Sequence, residues 1–168
     1  MSLPVTTYHL EMRDPARLRP KACPDPCFRI AECTVKQGEY NRFLYQLVGH
    51  DWNWVERNPW SLERWRQYAE AEDLRTWVGY VEGTPAGYFE LQMQEAGSVE
   101  IKSFGLSPPF VGKGVGGSFL TDAIRSAWEW DAKRVWVHTC TDDHPHALAN
   151  YQARGMVIFK TEVSGSTP

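Results

Sequence analysis

Apolar positions recur along this chain with two periods, and the switches between them mark out its elements. Val5 to Met12 reads as a short strand, expected at a sheet edge, and the Pro- and Arg-rich segment that ends at Pro26 reads as a wrapped loop. Phe28 to Val35 alternates with period two, as a half-buried strand does. From Glu39 the set Tyr40, Phe43, Leu44, Leu47 and Val48 takes helical spacing, with Gly49 as a stop signal. A second helix is expected from near Ser61, with Leu62, Trp65 and Ala69 on one face. Between the two, Asp51 to Trp60 mixes aromatic and polar residues without a period and reads as a loop.

Trp77–Val81 and Ala86–Met93 flank Glu82-Gly83-Thr84-Pro85, which predicts a hairpin, and Val99–Leu106 follows as a third strand before the breaker Ser107-Pro108-Pro109. From Gly116, Leu120, Ala123, Ile124, Ala127 and Trp128 fall at helical spacing. Val135–Cys140 is a strand, His144–Arg154 a short helix closed by Gly155, and Met156–Val163 a last strand. There is no internal repeat and no linker, so residues 1–168 are read as one domain, with a strand and wrapped loop over 1–27 and a core over 28–168.

Composition changes this picture mainly by exclusion. Apolar residues make up 42% and charged residues 23%, a globular balance. The net charge of −3, with no Lys/Arg block, argues against a nucleic-acid partner. No apolar run reaches membrane-spanning length, and Met1-Ser2-Leu3-Pro4 lacks the regions of a signal peptide, so a cytoplasmic location and no membrane partner are expected. Cys23, Cys27, Cys33 and Cys140 lack paired spacing, which favours reduced thiols over a disulfide framework or a zinc knuckle.

The chemistry centres on Val111-Gly112-Lys113-Gly114-Val115-Gly116-Gly117, where a strand gives way to a helix and several backbone N–H groups meet the positive end of a helix dipole. Such a place binds phosphate. Gly112, Gly114 and Gly117 also satisfy GxGxxG, yet a dinucleotide fold has that motif after the first strand of a βα series, whereas three antiparallel strands precede it here. A nucleotide-hydrolysing P-loop fails because Gly114 follows Lys113 where Ser or Thr is needed. The remaining alternative is a tight turn without a ligand, which would weaken the helix start without return.

From Val99 to Phe159 the chain resembles the GCN5-related N-acetyltransferase family. Its phosphate loop reads Q/R-x-x-G-x-G/A; Val111 departs from the first position, while Gly114 and Gly116 match. A second family element, N-x-x-A-x-x-x-Y-x-x-x-G, resembles His144, Ala147, Tyr151 and Gly155, with His144 in place of Asn. The resemblance is close from the hairpin onward and rests on element order before it. It implies an α/β (α+β) domain with a mixed, largely antiparallel sheet flanked by helices, a cofactor half over residues 99–163, acetyl-coenzyme A as co-substrate, no metal, and pairing of some members into homodimers. It further implies that Phe104, Gly105 and Leu106 line the pantetheine arm at a splayed or bulged strand, with Gly105 suited to the bulge.

Acyl transfer to an amine needs one proton removed and one returned to the leaving thiolate. The resemblance puts Tyr151 near the sulfur as acid, and Glu100, sixteen positions before Gly116, as a base of raised pKa. Tyr151 as a packing aromatic and Glu100 as a solvated strand residue are the plainer alternatives, and a histidine could take the base's place. His138, Cys140, Asp142, Asp143, His144 and His146 crowd together, but capping explains the acids better than zinc does, and Cys140 reads as an inert thiol. The resemblance implies an acceptor site at the two early helices and their loop, at Asp51, Trp52 and Trp54 with Glu56 and Trp60 nearby, where acids and aromatics suit a cationic amine. Those Trp equally suit pinning helices to a sheet. A small-molecule amine leads over a protein lysine or N-terminus, and a coenzyme A sensor without turnover is the competing class.

Overall fold

The computed structural model describes residues 4–164; Met1–Leu3 of the N-terminal stretch and residues 165–168 of the expected domain lie outside them. In chain order the elements are β1 (Val5–Met12), β2 (Phe28–Glu32), α1 (Gly38–Gly49), α2 (Leu62–Ala69), β3 (Leu74–Val81), β4 (Thr84–Met93), β5 (Ser98–Leu106), α3 (Gly116–Glu129), β6 (Arg134–Cys140), α4 (Ala147–Ala153) and β7 (Val157–Ser164). The strands form one sheet in the order β2-β3-β4-β5-β6-β1-β7, antiparallel throughout except for β5 beside β6. This is the mixed, mostly antiparallel α/β sheet flanked by helices that the resemblance implies.

Each face of the sheet has its own core. On one face Phe119, Leu120, Ala123, Ile124 and Ala127 of α3 meet Leu10, Met12, Phe89, Leu91, Val99, Ile101, Val135 and Val137. On the other, Leu44, Tyr45 and Val48 of α1 and Trp65 of α2 close over Val78 and Tyr88. Burial of these side chains is the main driving force for the fold, at roughly 25 cal/mol per Å² of apolar surface.

Several boundaries differ from the sequence reading, each for a local reason. β1 is not an edge strand: it runs between β6 and β7 and buries Leu10 and Met12. β2 stops at Glu32, because Thr34 N–H turns back to the Glu32 carbonyl and Val35 stands 82% exposed. The buried face of α1 is Asn41, Leu44, Tyr45 and Val48, while Phe43 points outward. α1 ends at Gly49 as expected, but the chain then enters a 3-10 turn over His50–Trp52 and reverses at Asn53, whose φ is 57°. Gly49 is small because a Cβ there would lie 2.3 Å from Trp54 Cβ. α2 begins at Leu62 with Ser61 as its cap, the Ser61 hydroxyl accepting from Arg64 N–H at 3.2 Å. α4 begins at Ala147 and not at His144, since Pro145 disfavours helical backbone at the residue before it.

Among the described residues no helix is long and apolar enough to cross a membrane. β7 forms one edge, exposed along its whole length, with Val157, Ile158, Phe159 and Val163 uncovered.

Candidate active site

β5 and β6 run side by side only over Ser98–Glu100 and Arg134–Trp136. Beyond these pairs the strands part, and a cavity of about 1280 Å³ follows the opening, lined by Ile101–Leu106 of β5 and Val137–Cys140 of β6. Phe104, Gly105 and Leu106 all line it. The bulge, however, lies at Lys102 and not at Gly105: Glu90 pairs with Ser103 and Leu91 with Ile101, which leaves Lys102 extra. Gly105 answers a different need, since a Cβ there would lie 2.5 Å from Val48 Cγ1 of α1.

On the α3 side the cavity is bounded by the glycine loop. Gly112 and Gly114 take φ of 80° and 81°, the left-handed region open to glycine, and the chain then enters α3 without a side-chain cap. The N–H groups of Gly116, Gly117 and Ser118 have no acceptor among the described residues, so the helix start presents a cluster of donors. Val111, Gly112, Gly114, Gly116 and Gly117 line the cavity; Lys113 is exposed to solvent outside it, and Val115 is buried in the α3 core. Asn150 of α4 donates to the Gly116 carbonyl at 3.2 Å and locks the two helices at this point.

Tyr151, on α4, is 6% exposed, packs edge-on to Phe104 and lines the cavity, with no hydrogen-bond partner for its hydroxyl among the described residues. Burial, then the Asp143 charge, push its pKa above the ordinary phenol value, so it stays protonated. Glu100 behaves otherwise than expected. It is 3% exposed and does not line the cavity. Burial alone would raise its pKa, but a bond with His138, the charge of Lys102 and a bond from Gln94 outweigh burial and lower it, which corrects the raised value predicted from sequence.

The remaining wall comes from the loop between α1 and α2. Trp52 and Trp54 line the cavity together with Glu56 and Arg57, whereas Asp51 is exposed and takes no part in the lining. Trp52 meets His144 edge-on at 4.7 Å, and Trp54 Nε1 donates to Asp143 at 3.4 Å, so this loop bridges to the segment before α4 and roofs the opening. Asp143 in turn accepts from Thr139 Oγ1 at 2.7 Å and from Cys140 N–H at 2.9 Å. Burial raises the Cys140 pKa, which fits an inert thiol. Trp60 and Trp65 lie apart from the cavity and pack on each other and on Tyr68, pinning α2. Among the described residues no group of three or more His, Cys, Asp or Glu converges as a metal site would require.

A cleft in a mixed sheet, with a phosphate-type loop on one side, agrees with what the family model of the acetyltransferase (GNAT) family detects over residues 41–156. The chain belongs to that family. Solved structures share its fold at low identity. A GCN5-related N-acetyltransferase from Kribbella flavida superposes with a TM-score of 0.68 at 19% identity over 94% of this chain and 56% of its own. One from Sphaerobacter thermophilus gives 0.67 at 19% identity over 95% and 50%. An aminoglycoside acetyltransferase from an uncultured soil metagenomic sample gives 0.59 at 16% identity over 77% and 88%. The chain thus spans about half the length of the first two. No curated protein sequence matches it.

GNAT enzymes normally use acetyl-coenzyme A, and this loop fits its phosphates in two respects beyond the N–H donors. The wrapped segment between β1 and β2 lies on the loop, with Lys21 N–H bonded to Thr121 Oγ1 at 3.0 Å, and a Cβ on Gly117 would lie 2.6 Å from Lys21 Cδ and 2.9 Å from Arg154 Nη1. Two cations therefore stand at the loop. Sequence reading missed both. Arg154 sits in the matched α4 element directly before Gly155 and was open to notice, whereas nothing local marks Lys21.

Proposed function

We propose that this GNAT chain moves an acetyl group from acetyl-coenzyme A to a primary amine of a small molecule, by direct attack with both substrates bound. The observation that carries this reading is the gap between β5 and β6, which joins a phosphate cradle on the α3 side to an aromatic and acidic mouth on the α1 side. Bound acetyl-coenzyme A supplies the acetyl group as a thioester. The N–H groups of the loop from Val111 to Gly117, with Lys21 and Arg154, hold its pyrophosphate, and the backbone of Phe104, Gly105 and Leu106 lines its arm. Tyr151, protonated and turned to the cavity, gives its proton to the departing sulfur.

At the acceptor end Trp52 and Glu56 suit a cation, and the Trp52–His144 contact narrows the mouth, which favours a small molecule over a protein lysine or N-terminus. A structural relative named an aminoglycoside acetyltransferase is in keeping with this. The homodimer implied by the resemblance has a place at the exposed edge β7, and sedimentation across a concentration range tests it; a monomer throughout would remove it.

The test of the reaction is thiol release from acetyl-coenzyme A with an arylalkylamine (tryptamine), a polyamine (spermidine) and an aminoglycoside (kanamycin). At least one is expected to raise release over hydrolysis, and Tyr151→Phe to lower kcat on the order of 10²-fold with coenzyme A affinity kept. Binding of coenzyme A without turnover of any amine would instead support a sensor.

A further inference from the structure

We infer that His138 takes the proton from the acceptor amine and that the buried Glu100 is a positioning residue which holds its ring. The inference rests on the acetyl-transfer reading above and assigns its missing base.

Strand geometry puts His138 where the role requires. Along β6, Val135, Val137 and Thr139 are buried on the α3 side, so Trp136, His138 and Cys140 face the other way. The last pair between β5 and β6 is Glu100 with Trp136, which makes His138 the first residue on the acceptor face after the strands part. Tyr151 belongs to the opposite face, with α3 and α4. The sheet thus separates a proton donor on the cofactor side from a proton acceptor on the amine side, and the gap between the strands connects them.

Of the two candidate bases, His138 alone is accessible. Its side chain is 50% exposed and lines the cavity, while that of Glu100 is 4% exposed. His138 Nδ1 lies 3.4 Å from Glu100 Oε1, and Nε2 has no partner among the described residues. Glu100 cannot readily swing out, because Oε2 accepts from Gln94 Nε2 at 2.7 Å and lies 3.6 Å from Lys102 Nζ, and Gln94 in turn accepts from Trp136 Nε1 at 3.0 Å. A carboxylate fixed behind one ring nitrogen sets the tautomer and leaves the other free to accept.

The charged and titratable surroundings of His138 are Glu100 and Lys102 on β5, Asp143 after β6, and His9 on β1, whose ring centroid is 5.8 Å away and which is itself tied to Glu162 of β7 at 2.8 Å. The bond with Glu100 raises the His138 pKa above 6.5; burial and Lys102 oppose this and do not cancel it. As the amine nitrogen bonds to the acetyl carbonyl carbon and the C–S bond breaks, His138 Nε2 receives the proton the nitrogen loses and Tyr151 gives its own to the sulfur. Solvent returns the proton from His138 to Tyr151, so amine and thioester become amide and thiol. His138 works in its neutral form, and kcat/KM therefore rises with pH through its raised pKa.

The experiment compares wild type, His138→Gln and Glu100→Gln on whichever of tryptamine, spermidine or kanamycin the wild type turns over fastest, and follows the His138 imidazole by NMR titration in the coenzyme A-bound protein. His138→Gln is expected to lower kcat/KM on the order of 10²-fold, erase the acidic limb and leave coenzyme A affinity unchanged. Glu100→Gln should keep the limb but move it to lower pH, by the same interval as the NMR pKa of His138 moves. Imidazole in the buffer should restore part of the rate to His138→Gly. If His138→Gln keeps rate and limb while Glu100→Gln loses both, Glu100 is the base and the inference falls. If the wild type releases no thiol with any of the three amines, the acetyl-transfer reading falls and takes this inference with it, an outcome distinct from an active wild type indifferent to His138.

Discussion

At the scale of single residues, the ion pair with the greatest leverage is one that sequence reading passed over. Glu90 has no exposed surface, and its Oε1 accepts from Arg57 Nη1 at 3.1 Å. The Arg57 guanidinium sits among aromatic rings, 4.4 Å from the Tyr68 centroid and 5.3 Å from those of Tyr45 and Trp60. Burial by itself would lower the Arg57 pKa, and the Glu90 charge reverses that, so the guanidinium is fixed as a cation. Burial of Glu90, with Arg57 only 12% exposed at the cavity wall, makes loss of one partner costly, because the other is left as an uncompensated buried charge. Glu90→Leu is expected to cost about 3–5 kcal/mol in urea unfolding, and adding Arg57→Met to recover much of it. A cost below about 1 kcal/mol would class the pair with exposed ones. The two residues are 33 positions apart, one in an aperiodic loop and one a lone acid in an apolar strand, so no local pattern joins them. Their bond nevertheless fixes the loop that carries Trp52 to the cavity.

At the scale of elements, the sequence was a good guide to what each segment is and a poorer one to how it is used. The order of strands and helices, the glycine loop before α3 and the placing of Tyr151 on a helix were all legible, because each depends on periodicity or on Gly and Pro within a few residues. The bulge at Lys102, the outward Phe43 and the packing role of Gly49 were not, since each is set by a partner from another element. The glycine loop separates these two kinds of information. Gly114 has φ of 81°, and any side chain there is strained whatever its surroundings. Gly116 is helical, and a Cβ on it would find Leu106 Cδ1 at 3.7 Å, an ordinary contact. Gly114→Ala should therefore weaken coenzyme A binding on the order of tenfold, from about 1–3 kcal/mol of backbone strain, and Gly116→Ala by clearly less. Titration calorimetry with coenzyme A distinguishes them. Equal losses would show that side-chain bulk, and not backbone conformation, governs the loop.

At the scale of the molecule, the unexpected feature is that the first strand completes the end of the sheet. β1 lies between β6 and β7, with Thr7 opposite Cys140 on one side and Val5 opposite Ser164 on the other. Alternation shows which face of a strand is buried and not which strands flank it, so β1 read as an edge. Pairing across nearly the whole chain makes this closure entropically demanding, and it is expected to limit the rate of folding. The register also suggests a way to test that. Because β1 and β7 are antiparallel and Val5 faces Ser164, a two-residue Asn-Gly turn can join Ser164 to Val5 as a hairpin, with the chain reopened between the exposed Arg13 and Asp14. In that permutant β1 follows β7 directly, and no other pairing becomes more distant in sequence. The segment bearing Lys21 stays joined to β2 and is held beside the glycine loop by the Arg19 N–H bond to the Arg154 carbonyl at the end of α4 and the Lys21 N–H bond to Thr121 of α3, so coenzyme A affinity should be unchanged. Refolding followed by tryptophan fluorescence should be about tenfold faster or more, with the native circular dichroism retained. An unchanged rate would mean that β1 docks after the rate-limiting step, and a permutant that fails to fold would mean that the direct link from β1 into the wrapped segment is itself required for closure.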